Sequence, residues 1–233
     1  MNSLFVPVIG YNDAVMIDSL LREKFKLSES QLVVYAGLAV SQLAKKMLDG
    51  RKNVLILAGP GNNGADALCA GWNLHTAGYS VSVFLACDFP SLVGLEYKNL
   101  LENAGIVFHS FTGLEPALDS CDIVIDGLVG YNLQGNPRGI IHTVIEIVNK
   151  KDRFLLSIDV PTGYELRTGL LRTPHISSSA TLCLGLVKEG LDESFAGVLY
   201  AGYIGIPPAL YSDIGVEFDF QNFEGVVQVE SRS

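Results

Sequence analysis

The chain has 233 residues, of which 48% are hydrophobic and 18% charged, with a formal net charge of −9. Such a composition excludes a disordered chain and allows one large α/β domain or two small ones, while an acidic sequence without a basic stripe excludes a surface that tracks nucleic-acid phosphates. No apolar run reaches membrane-spanning length, and four cysteines without a C-x-x-C pair point to buried thiols in a reducing compartment, by expectation the cytoplasm.

Residues 12–25 read as a helix, with Asn12 as its cap and Val15, Leu20, Leu21 and Phe25 on an apolar side. Asp13 and Asp18 come early and no arginine precedes Arg22, which speaks against a secretory or transit leader. Ser28 and Gln31 form a capping box for a second helix running to about Leu48. Strand-like and helix-like segments then alternate. Strands are expected at residues 54–58, 81–86, 106–110, 123–126, 154–158, 180–184 and 199–204, and helices at 65–76, 92–103 and 140–149. Nearly continuous apolar strands of this kind imply an α/β fold with a mostly parallel central sheet covered on both faces. No linker-like tract breaks the chain, so residues 1–233 are expected to form a single domain, with a helical extension over 1–50 and a peripheral tail over 208–233.

In such a sheet a ligand lies outside the carboxyl ends of the strands. The first long strand ends in a glycine-rich turn, where Gly59, Gly61 and Gly64 satisfy G-x-G-x-x-G and enclose Asn62 and Asn63. A turn of this type either brings bare N–H groups to a phosphate at a helix N-terminus or is an ordinary tight connection. A second strand ends at Asp126-Gly127, and a third at Asp159, followed by Val160, Pro161, Thr162 and Gly163. Three strand ends, each with a carboxylate or amide beside glycine, should face one crevice. Asp126 there binds a cation or a ribose hydroxyl, or serves only as a cap. Asp159 sits before a rigid turn, the placement that a general acid or base requires.

Asn63, Asp126 and Thr162 together offer an amide oxygen, a carboxylate and a hydroxyl. This hard, low-charge set suits sodium or potassium better than zinc or copper. The stretch from Gly130 through Tyr131, Asn132, Leu133, Gln134, Gly135 and Asn136 to Arg138 reads as a ligand-covering loop. Arg138 either meets a phosphate or is solvated, and Lys188, at another strand exit, either reaches the crevice or stays on the surface. Asp88, 24 positions beyond Gly64, keeps a nicotinamide dehydrogenase open as a rival. The absence of G-x-x-x-x-G-K-[ST] excludes a Walker-type kinase.

In order, Gly59-Pro-Gly-Asn-Asn-Gly64 with Asp66, then Asp126-Gly-Leu-Val-Gly130, then Ser157-Ile-Asp-Val-Pro-Thr-Gly163, this chain resembles the YjeF N-terminal domain, the NAD(P)H-hydrate epimerase family. Residues Ala180–Leu184 with Lys188, the run from Gly197 to Pro207, and Leu32 to Gly37 look like further motifs of that family. The resemblance implies a three-layer Rossmann-like sandwich, often dimeric, that binds potassium through Asn63, Asp126 and Thr162. It implies a nucleotide-hydrate site along Asn62, Asn63, Gly64, Ala65 and Asp66 and along Gly130 to Asn136, with Asp159 contacting substrate as the acid/base. The activity implied is an isomerase reaction, interconversion of the R and S forms of hydrated NADH or NADPH, with a separate dehydratase acting on one epimer. Two departures stand out. Ala65 and Ala67 replace glycines usual in the family, so a left-handed backbone at either place would force the phosphate cradle to reshape. The second-helix motif also has Val33, Val34 and Tyr35 where a glutamate is usual. A divergent scaffold that binds nucleotide without turnover is the alternative reading.

Overall fold

The computed structural model describes residues 3–87, 90–218, 223 and 225–230. Asp88, the acid that kept a dehydrogenase open, lies outside the described residues. A nine-stranded sheet organises the rest. In chain order its strands are β1 (Ser3–Leu4), β3 (Asn53–Ala58), β4 (Ser80–Leu85), β5 (Val107–His109), β6 (Ile123–Gly127), β7 (Phe154–Ile158), β10 (Ala180–Leu184), β12 (Val198–Gly202) and β13 (Val226–Val229). Two short pairs stand apart: β2 (Val8–Ile9) with β11 (Val187–Lys188), and β8 (Tyr164–Glu165) with β9 (Leu170–Leu171). The large sheet runs β1-β13-β12-β10-β7-β6-β3-β4-β5, parallel at every pairing except β12 with β13.

Consecutive residues of β3 point to opposite faces, and both faces are apolar. Val54, Ile56 and Ala58 pack with Leu43 and Leu48 of helix α2 (Glu29–Leu48) and with Leu68 and Leu74 of α3 (Asn62–Thr76). Leu55 and Leu57 pack on the other side with Leu118 of α5 (Leu114–Ser120) and Val144 and Val148 of α6 (Gly139–Val148). Helix α4 (Leu92–Asn103) adds Leu101 to the first layer. The result is a three-layer α/β/α sandwich with two helices, α1 (Tyr11–Glu23) and α2, ahead of the first long strand.

The capping box forms as expected: Ser28 Oγ accepts from Gln31 N at 3.2 Å, and Ser28 N donates to Gln31 Oε1 at 2.8 Å. For α1 the cap is Gly10 rather than Asn12, because Asp13 reaches back to accept the Gly10 N–H at 3.0 Å. The seven-residue α5 was not expected, since one short helix with Pro116 in its first turn carries little periodic signal. The segment beyond Pro208 is not wholly peripheral. Val226 and Val227 are buried, and β13 slots between β12 and β1. Its apolar stretch is too short to register as a strand without the partner that covers it.

From β3 the chain builds outward through β4 and β5, then returns to the opposite side of β3 with β6. The strand order therefore reverses between β3 and β6, the place in an open α/β sheet where a crevice opens beyond the carboxyl ends.

Candidate active site

The turn after β3 occupies that reversal. Gly59 N donates to Gly127 O at 3.0 Å, stitching the exits of β3 and β6 together. The three glycines have different tasks. A Cβ on Gly59 would stand 1.8 Å from Leu128 O, and one on Gly64 would stand 2.1 Å from Gly59 O, so both allow backbone to meet backbone. A Cβ on Gly61 would meet nothing within 4 Å. Gly61 caps α3 in extended conformation, and the N–H groups of Asn62 and Asn63 open the helix, where the chain has no earlier turn to accept them. Gly64 N and Ala65 N donate to Gly61 O at 3.0 and 3.2 Å, which leaves them unavailable to a ligand. Ala65 and Ala67 are both helical, so neither needs a left-handed backbone. Ala65 is packed with Val33, Cys69 and Val93 rather than on the crevice.

A cavity of about 490 Å³ opens over this turn. Of the expected site residues, Asn62, Asn63, Asp66, Gly130, Tyr131, Asn132 and Asp159 line it. Gly64, Ala65, Leu133, Gln134, Gly135 and Asn136 are not among its lining residues. The loop after Gly130 turns away because its later half is tied elsewhere. Gly135 N donates to Glu165 Oε1 at 3.3 Å and Asn136 Oδ1 accepts from Thr173 N at 3.4 Å, while Glu165 is held by Arg172 Nε at 2.6 Å. Arg138 is exposed at the start of α6 and does not line the cavity either.

Asp159 breaks β7. Its backbone is left-handed, φ +68°, one of the few non-glycine positions so placed, and Asp159 N donates to Leu182 O at 2.7 Å. Aspartate tolerates that conformation better than most side chains, at some cost in strain. The carboxylate is buried and meets Lys188 Nζ at 2.6 Å. Lys188 is itself 4% exposed and donates to Leu184 O and Leu186 O at 2.8 and 3.1 Å, so its three protons are all engaged. The crevice rather than the surface is thus the place of Lys188.

Asp126 and Thr162 lie beneath the cavity wall. The Asp126 carboxylate is fully buried and accepts from Thr162 Oγ1 (2.7 Å), Thr162 N (3.0 Å), Ser157 Oγ (2.8 Å) and Leu128 N (3.2 Å). Register explains the serine, since Asp126 and Ser157 are paired across β6 and β7. Burial pushes the Asp126 carboxyl above its usual range, against these bonds. Val129 N donates to Thr162 Oγ1 at 3.0 Å, linking this cluster to the wall. Asn63 Oδ1 lies over Gly130, the residue after Val129, since a Cβ on Gly130 would stand 3.2 Å from it. Asn63 Nδ2 is buried and has no hydrogen-bond partner among the described residues.

Sequence reasoning did not single out Ser157 or Asp18. A lone serine in the apolar run of β7 was the available sign for the first. Asp18 lines the cavity from α1 and accepts the Tyr131 hydroxyl proton. Its residue pattern shows only an acid on a helix.

Residues 29–190 match the family described as YjeF-related protein N-terminus. A protein of Dehalogenimonas lykanthroporepellens named NAD(P)H-hydrate epimerase is 34% identical over 216 residues, 91% of this chain and 85% of its own length. One of the same name from Entamoeba histolytica is 31% identical over 93% of this chain and 96% of its own. A longer protein of Thermofilum pendens, named bifunctional NAD(P)H-hydrate repair enzyme Nnr, is 30% identical over 42% of its length. Among solved structures, that of yeast ynu0 (YNL200c) superposes with a TM-score of 0.85 over 96% of this chain at 23% identity, a likeness of fold. With the motifs, the sheet order and the crevice in agreement with the family match, the chain belongs to the YjeF-related N-terminal family.

Proposed function

We propose that this chain is an NAD(P)H-hydrate epimerase, an isomerase of cofactor repair that interconverts the R and S forms of hydrated NADH or NADPH. The observation that carries the reading is the buried Asp159–Lys188 pair, which faces the same cavity as the open turn at Gly61 to Asn63. Phosphate oxygens suit the N–H groups that open α3, where the helix dipole favours negative charge. Inverting a hydroxyl-bearing carbon requires a bond at that carbon to break and reform on the other face, with a proton leaving and rejoining oxygen. Asp159 holds and returns that proton, and Lys188, at 2.6 Å, keeps its carboxyl group aimed into the cavity.

Potassium belongs to the same proposal, with Asn63, Asp126 and Thr162 as its side-chain ligands. The residue types suit that ion: the Asn63 amide, the Asp126 carboxylate and the Thr162 hydroxyl each offer an oxygen, and Asp126 forms no ion pair among the described residues. When bound, the ion supplies a positive charge that neutralises Asp126. We further propose a cytoplasmic homodimer serving a separate dehydratase, in keeping with the longer relative named a bifunctional NAD(P)H-hydrate repair enzyme.

Incubation with pure R-hydrate in potassium buffer, followed by chromatography of the S form, tests the reading. Acceleration over the spontaneous rate is expected, with turnover and Tm both lowered when tetramethylammonium replaces potassium. Asp159→Asn should abolish turnover and leave nucleotide affinity within about tenfold. Folded protein that gives no acceleration would instead support a nucleotide-binding scaffold.

A further inference from the structure

Helix α1 presents Ala14, Ile17, Asp18 and Leu21 to the cavity, at the i, i+3, i+4 and i+7 positions of one face. Asp18 is the acid on this largely apolar face, which Arg22 extends at its far end, and a part-buried acid is costly unless it is bonded. Its partner is the Tyr131 hydroxyl, 113 residues away, on the loop that forms the facing wall. Tyr131 also packs edge-on against Tyr11 of α1, with ring centroids 6.2 Å apart. Burial and the Asp18 charge push the Tyr131 phenol above its usual range, so it keeps its proton. That one proton is committed to Asp18, so the phenolic oxygen can only accept, with the Asn132 side chain as a neighbouring donor that takes part of that capacity.

We propose that Asp18 is a positioning residue for substrate binding: it holds Tyr131 so that the phenolic oxygen accepts a hydrogen bond from a donor on the nucleotide, a ribose hydroxyl or the carboxamide NH₂. Asp18 acts through Tyr131, so its loss falls on binding more than on chemistry. The proposal rests on the nucleotide-hydrate reading, but its first test, the binding of NADH, requires no turnover.

Calorimetric titration with NADH is the measurement, on wild type, Asp18→Ala, Asp18→Asn, Tyr131→Phe and the Asp18→Ala/Tyr131→Phe double variant. Asp18→Ala and Tyr131→Phe should each weaken NADH about tenfold, the double variant no more than about twofold further. Asp18→Asn, whose carbonyl oxygen still accepts the phenol proton, should stay within about threefold of wild type. In the epimerase assay KM should rise by a similar factor while kcat falls less than about threefold. ADP-ribose separates the donors: the same loss assigns the contact to ribose, and no loss assigns it to the carboxamide. Additive losses in the double variant, or unchanged NADH affinity in folded Asp18→Ala, overturn the proposal. Tyr131→Phe retains the ring that packs on Tyr11 and decides the matter if Asp18→Ala does not fold. Intact NADH binding with no turnover in wild type would remove the epimerase reading and leave this one standing.

Discussion

Asp66 and Asp159 place the same carboxyl group in one cavity, yet their surroundings treat it differently. Asp159 has Lys188 at 2.6 Å, whereas Asp66, 7% exposed, forms no ion pair among the described residues. Burial pushes the Asp66 carboxyl well above its usual range, and the charges of Asp159, Asp18 and Glu29 push the same way. A carboxyl whose native pKa lies above its unfolded value holds a proton in the native state that the unfolded chain has already lost. Its contribution to stability therefore falls as pH rises from the unfolded value through the native one. Asp66→Asn removes that liability. Thermal melts should show a higher Tm for the variant at neutral pH, by about 2–4 °C per kcal/mol gained. The advantage should shrink on acidification toward about pH 4, where the wild-type carboxyl regains its proton in both states. A lower Tm for folded Asp66→Asn at neutral pH would contradict this account. None of it could be read from the motif, in which Asp66 and Asp159 are simply two aspartates after glycine-rich or apolar runs.

The turn between β3 and α3 shows how far a local pattern reaches. Its glycine spacing announced a strand, a tight turn and a helix, and those elements are present, because glycine's effect on backbone conformation is a nearest-neighbour matter. Which glycine serves which purpose depends on Leu128, some 70 residues away, whose carbonyl excludes any side chain at Gly59. Gly59→Ala and Gly64→Ala should each cost about 3 kcal/mol or more in chemical denaturation, since the obstructing atoms are backbone. Gly61→Ala should change stability by less than about 1 kcal/mol and yet weaken nucleotide binding, because its added methyl projects into open space at the cradle. The same logic runs through α2 and α3, where a Cβ on Gly37 would stand 2.4 Å from Cys69 Sγ. The departure to Ala65 and Ala67 is harmless to the backbone for the converse reason, as both alanines sit inside a regular helix.

Over the whole molecule, the two ends of the chain finish the sheet together. Strand β13 pairs antiparallel with β12 and parallel with β1, and it buries Val226 and Val227. Removing residues 225–233 would leave β1 without its partner and bare one edge of β12. The truncated protein should lose about 3–5 kcal/mol in urea denaturation, from two buried valines and their ladder, and should aggregate with rising concentration. Equal stability with and without the segment would mean that β13 adds nothing to the sheet.

The amino-acid order alone determined the alternation of strands and helices, the capping box at Ser28, the glycine turn and the three strand exits. Each is set by backbone preference or side-chain periodicity within a few residues. Only the tertiary structure decided which of those exits are neighbours, because strand order, with its reversal between β3 and β6, is a property of packing across the whole sheet. That packing brings Thr162 and Ser157 to Asp126, Lys188 to Asp159, and Asp18 on the first helix to Tyr131 on a distant loop. Burial and charge pairing, which separate one carboxylate's behaviour from another's, come into being only once those remote segments share a cavity.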